Sequence, residues 1–218
     1  MVPDPLRLAL ALMPLAAYCA VLGAVNARRR PFITTGGSDL AVLGGALSGV
    51  VLVGPIQLFR PLAASAEFGG YVWIFLLVFY WLWIWLAVLL SRPRLVVYNV
   101  SGEELRPLVA ETARELDPQA RWAGESLALP TLGVQLHLEA FEPMRNVSLV
   151  ASGGRQNAEG WRALHAQLRT RLVALPTVSN PRAVGLVLAA AALTAVSIGA
   201  LVGRPAQVAV AAQEMLAF

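Results

Sequence analysis

FGGYVWIFLLVFYWLWIWLAVLLS, residues 68–91, runs 24 residues without a charge and holds nine aromatic side chains. Glu67 closes the run at one end and Arg92 at the other. At about 1.5 Å per helical residue it is long enough to cross a hydrocarbon core of roughly 30 Å. Working outward, three weaker apolar spans accompany it, at about 6–24, 40–59 and 184–202, with the strongest placed at 68–90. The sequence therefore predicts a polytopic α-helical membrane protein with four transmembrane helices and one inserted small α+β domain. Its divisions are a membrane region over 1–93, the α+β domain over 94–182, and a fourth helix with a short tail over 183–218. In that tail Val208, Met215, Leu216 and Phe218 supply the apolar groups of a short surface helix.

Composition agrees with that division. The 218 residues are 57% hydrophobic and 14% charged, against soluble averages of roughly 45–50% and 25%. Most of the charge sits between Arg94 and Arg182, where ten Arg face nine Asp or Glu. That block is close to neutral, and no basic stripe interleaved with aromatics appears, so a nucleic-acid partner is not expected. All 17 basic residues are Arg, which reads as the codon usage of a GC-rich genome. Cys19 is the only cysteine, so there is neither an intramolecular disulfide nor a cysteine metal site.

The first span, followed by Val25-Asn26-Ala27, has the outline of a signal peptide. Arg28, Arg29 and Arg30 follow the would-be cleavage point at once, and such a cluster resists translocation. The expectation is an uncleaved helix. The same rule sets orientation, with Arg28, Arg29, Arg30, Arg92, Arg94 and Arg182 flanking spans on one side and Arg7, Arg60 and Arg204 on the other. It predicts a bacterial inner-membrane protein with both termini outside, and the 26–38 loop and the 94–182 domain in the cytoplasm.

Inside the polar block, Arg94–Val100 is rich in β-formers, and Ser101-x-x-Glu104 opens a helix with a capping box. Leu105, Leu108, Val109, Thr112 and Leu116 share one face as far as Asp117-Pro118, with Pro107 as an awkward interior residue. Three strands are expected next, over 121–125, 132–141 and 147–151. In the middle one, Val134, Leu136, Leu138 and Ala140 alternate with Gln135, His137, Glu139 and Phe141. A second amphipathic helix carries Trp161, Leu164, Leu168, Leu172 and Leu175 inward until Pro176. The order β-α-β-β-β-α suggests helices on one face of a mainly antiparallel sheet, with a ferredoxin-like layout by analogy.

No residue set names a reaction, and neither cofactor nor metal is expected. His137 beside Glu139 reads as a solvated strand face, and His165 as the border of an apolar stripe. Gly153-Gly154-Arg155 reads as a turn, because a phosphate loop of the Walker type requires a lysine and the chain has none. Ser148 and Ser152 lack a positioned base. Ser38 or Asp39 reads as a helix cap at the start of the second span. Gly45-x-x-x-Gly49 and Gly199-x-x-x-Gly203 are helix-packing candidates, since small residues let backbones approach within a membrane. Tyr71 and Trp73 suit an interfacial belt, and Tyr80, Trp81, Trp83 and Trp85 continue deeper as packing or lipid-facing groups.

The functional expectation is a non-enzymatic anchor, scaffold or sensory subunit that presents a domain for a partner protein or small ligand. Its partners would be the bilayer and a protein or second copy, met through the helices or the 94–182 domain. One rival is a transporter or channel subunit built on the second span, with Pro55 and Gln57 at a polar kink, and on the aromatic third span. Another is a lipid-acting enzyme using Asp39, Thr34 and Arg28–Arg30.

Overall fold

The computed structural model describes residues 4–56, 68–69, 71–154, 156–178 and 180–216. In chain order the first elements are α1 (Pro5–Ala27), β1 (Phe32–Thr35), α2 (Gly36–Val51) and α3 (Tyr71–Leu90). Next come β2 (Arg94–Tyr98), α4 (Gly102–Leu116), β3 (Arg121–Ala123), β4 (Ser126–Leu129), β5 (Val134–Phe141) and β6 (Asn146–Ala151). The chain closes with α5 (Ala158–Ala174), α6 (Arg182–Gly203) and α7 (Pro205–Leu216). They form two compact units. The first holds Met1–Gly23, Leu40–Leu89 and Gly185–Phe218, and the second Ala24–Asp39 and Leu90–Val184.

In the first unit, four helices are long and apolar enough to cross a membrane, judged by length and composition. Their buried residues are small: Ala9, Ala16, Ala46, Ala190 and Ser197, with Val72 the largest of this group. Many bulky side chains of α3 stand outward, Phe75, Phe79, Trp83 and, at 62% exposure, Trp85 among them. Helix α2 starts four residues before the expected position of 40, because Thr35 caps it. The Thr35 hydroxyl accepts from the Ser38 amide at 3.3 Å and lies 2.9 Å from the Ser38 hydroxyl. After Val51 the coil widens into one π-helical turn, Leu52–Ile56, around Pro55, which has no amide hydrogen to give. Gln57 and the 57–59 end of the expected span lie outside the described residues, as do Arg60, Arg155 and Phe218.

The second unit is a six-stranded sheet in the order β1-β2-β6-β5-β4-β3, with every neighbouring pair antiparallel. Its register carries an apolar row from edge to edge. Ile33 pairs with Val97, which pairs with Val147. In the next row Leu95 pairs with Leu149 and Leu149 with Leu138. Trp122, Leu127, Leu136 and Ala151 form a third. The period of two that sets strand faces thus holds across all six strands. Helices α4 and α5 close this face with Leu105, Val109, Leu164, Leu168 and Leu172, each with 1% or less of its surface exposed. The capping box of α4 forms as expected, Ser101 and Glu104 bonding each other's amides at 3.3 and 3.0 Å.

Three expectations change. The single strand over 121–125 is instead a hairpin, β3 and β4, because Gly124 takes φ +63° and turns the chain back. The order within 94–182 is therefore β-α-β-β-β-β-α, which lacks the split β-α-β units of a ferredoxin-like layout. The 26–38 segment, read as a loop, instead supplies β1 and belongs to the sheet-bearing unit.

Candidate functional site

The segment that adds β1 also builds a cleft of the second unit. Arg28, Arg29 and Arg30 follow the last residue of α1 and lead through Pro31 into β1. Their backbone is anchored from behind. The Asn99 side-chain amide donates to the Arg28 carbonyl at 2.5 Å, and the Thr177 amide donates to the Arg29 carbonyl at 3.1 Å. Nearby, Asn180 donates its backbone amide to the Asn26 carbonyl at 3.1 Å and its side-chain amide to the Met144 carbonyl at 2.9 Å. Asn26, Asn99, Thr177 and Asn180 are all buried. Burying a polar donor is costly unless it is hydrogen-bonded, so these donated bonds fix where the three arginines start.

The facing wall comes from α5. His165, Arg169, Leu172 and Val173 are spaced as one helical ridge beside the core stripe of Leu164 and Leu168. The cleft between this ridge and residues 28–35 has a volume of about 710 Å³. Phe32, Ile33, Leu172 and Val173 give it apolar surface, while Thr34, Thr35 and Ser38 put hydroxyls along it. Among the described residues no acidic side chain lines it.

Its charge is therefore uncompensated. Elsewhere in this unit, Arg94 pairs with Asp39, Arg106 with Glu125, Arg145 with Glu104, and Arg171 with Glu111 and Glu115. Among the described residues no ion pair involves Arg28, Arg29, Arg30 or Arg169. Two residues apart on one helix, Arg171 turns to the carboxylates of α4 and Arg169 to the cleft. Burial, and after it the Arg169 charge, hold the His165 imidazole below its ordinary pKa. At neutral pH His165 is an uncharged ring able to donate one hydrogen bond and accept another. Four arginines and one histidine that line a cleft together with apolar residues can hold an organic anion.

The other candidates fall in separate places. Asp39 does not cap α2; its carboxylate accepts from the Tyr98 hydroxyl and pairs with Arg94 at 3.4 Å. That ties the start of α2 to β2. Arg92 is exposed. His137 meets the Ser126 hydroxyl across the β4–β5 pair at 3.2 Å, on the solvent side of the sheet. Gly153, at φ +88°, turns the chain between β6 and α5. No three His, Cys, Asp or Glu side chains gather as metal ligands among the described residues. In the helical unit, a Cβ on Gly49 would strike the carbonyl of Leu10, and one on Gly45 would rest 3.7 Å from Trp81. Gly199 and Gly203 face open space. Gly44, on the same small-residue face, accepts from the Tyr80 hydroxyl at 2.7 Å and lies against Ile84.

Sequence reading assigned Arg28–Arg30 to topology and, in one rival, to a lipid-acting site with Thr34 and Asp39; it put His165 at a stripe border and Arg169 on the outward face of its helix, and it left out Phe32 and Ile33. The run Phe32-Ile33-Thr34-Thr35 is β-rich and stops at Gly36-Gly37, so a short strand was readable there. Its pairing partner was not. Comparison with protein-family models, with curated proteins and with solved structures finds no match to this chain.

Proposed function

We propose that this chain is a multi-pass inner-membrane protein of non-enzymatic kind, which anchors a cytoplasmic domain that takes an anionic ligand in the arginine cleft. The observation that carries this reading is the set of four arginines, in no ion pair among the described residues, that line a cleft of about 710 Å³. Sites for organic ligands span roughly 300–1,000 Å³ and combine apolar walls with a few placed polar groups. Arg28–Arg30 as flanking residues on the cytoplasmic side support termini outside and the 24–39 and 90–184 residues inside. A sensory or scaffolding role fits the way the cleft is built. One lip, 28–31, continues from α1, and Thr177 and Asn180, which hold that lip, lead into α6.

The test uses the full chain in nanodiscs of zwitterionic lipid, melted in the presence of organic anions and of uncharged analogues of the same shape. Ligands that bind the native state raise the melting temperature in proportion to occupancy. The reading expects a saturable rise with anions alone. It is abandoned if no anion shifts the melt, or if uncharged analogues shift it equally.

A further inference from the structure

We propose that the ligand of this cleft is an organic phosphate with an apolar body, its phosphate held among Arg28, Arg29, Arg30 and Arg169 and its body against Ile33 and Val173. The inference rests on the anionic-ligand reading above and adds its chemical class. Charge matching is the first argument. A carboxylate brings one negative charge and two oxygens, which a single guanidinium fork satisfies bidentately. A phosphate monoester brings about −1.5 to −2 charge and three acceptor oxygens. With more charge and a third oxygen, the phosphate can engage more of the four forks at once than a carboxylate can.

The second argument is the imidazole. His165 sits on the same ridge as Arg169, one turn away, and its ring is uncharged at neutral pH. It adds a hydrogen-bond donor without a further cation. Thr35 and Ser38 supply hydroxyls from the opposite lip. The third argument is size and surface. A cleft of about 710 Å³ is in the range of whole organic ligands and exceeds what an inorganic anion fills. Val173, 58% exposed, leaves apolar surface uncovered beside the cations. An amphiphilic phosphate covers both kinds of surface together. Such a group reaches the cleft either as a membrane lipid, since Arg28 directly follows a candidate span, or as a soluble phosphate ester.

Hexyl phosphate, hexanoate and inorganic phosphate are titrated against the full chain in zwitterionic nanodiscs. The expected order places hexyl phosphate at least about tenfold tighter than either of the other two, because only it offers a divalent head and an apolar body. Arg169→Gln should weaken hexyl phosphate about tenfold, while Arg162→Gln, exposed on the same helix, should leave it unchanged. Val173→Ala should narrow the gap between hexyl and inorganic phosphate. Repeating the titration in discs that contain phosphatidic acid separates the sources. A lipid ligand occupies the cleft and lowers hexyl phosphate affinity there, whereas an unchanged affinity points to a soluble ester. Hexanoate binding as tightly as hexyl phosphate would overturn the phosphate assignment and leave the anionic reading standing. Failure of every anion removes both.

Discussion

The two units bury opposite kinds of residue. The sheet-bearing unit puts Leu, Val and Trp161 inside, with Leu105, Leu129, Leu136 and Leu164 fully covered. The helical unit puts alanines inside and turns Phe75, Phe79, Trp83 and Trp85 outward. Water selects the first arrangement, because apolar area removed from it contributes about 25 cal/mol per Å². Where the surroundings are hydrocarbon, large side chains gain nothing by going inside, and small ones let helices approach. The same chain thus carries two packing rules. That inversion is the best support for the proposed membrane setting of the apolar helices.

The largest expected effect breaks this comparison if the two units in fact follow one rule. Leu164→Ala empties a fully covered site beneath the sheet and should cost about 2–5 kcal/mol, the range for buried leucines. Leu82→Ala removes the same atoms from a side chain 59% exposed on α3. In lipid it should change stability by about 0.5 kcal/mol or less. Chemical unfolding of both variants in the same nanodiscs measures the pair. Equal losses would mean that α3 is packed against protein in its native setting.

Gly49 is the next measure, and it tests the close approach of small residues. A Cβ there meets the Leu10 backbone, which cannot swing aside as a side chain would. Gly49→Ala should therefore cost about 1–3 kcal/mol through overpacking. Gly199→Ala and Gly203→Ala add a methyl group to open space and gain the helix preference of alanine, about 0.5–1 kcal/mol in the stabilising direction. Two identical spacings in the sequence should thus give opposite signs. Thermal melting of the three variants decides it, and a loss at all three would place a second helix against α6.

That contrast also shows what was readable beforehand. The four apolar helices were legible because length and absence of charge need no partner to be recognised. The capping box of Ser101 and Glu104 was legible because both its groups lie within one turn. The alternation from Val134 to Leu138 was legible as a strand. What escaped depends on pairing between distant segments. Ile33 belongs to the core only because β1 lies against β2, 62 residues on in the register with Thr34 and Val96. Arg169 and Arg30 form one cleft only after both the sheet edge and α5 are placed. The β3–β4 hairpin was hidden for a local reason, since Gly124 in 121–125 was read as part of a strand when it was the turn. Likewise Asp39 had the composition of a cap, and its real partners, Tyr98 and Arg94, lie more than 50 residues away.

The smallest expected effect is pH dependence, which should divide the units cleanly. Burial alone would push the Glu104 carboxyl up, but the Ser101 amide and the Arg145 guanidinium outweigh it and hold Glu104 below the usual range. For Asp117, burial is likewise outweighed by hydrogen bonds from Gln119 and Thr131. His165 is held low by burial and by Arg169. In all three the unfolded chain binds a proton at a higher pH than the folded one. Each therefore contributes stability that is present above its ordinary pKa and lost as pH falls through its folded value. His165 begins the loss below about pH 6.5, and the two carboxylates continue it below about pH 4. The apolar spans hold no such groups within them, since the acidic residue of α2, Asp39, lies in the sheet-bearing unit. Hydrogen exchange, corrected for its intrinsic pH dependence, should show 94–174 losing protection on acidification while 71–90 keeps it. Glu104→Gln should flatten the carboxylate part of that loss and leave the part near pH 6.5 in place, whereas a uniform loss across both segments would mean that the two units unfold as one.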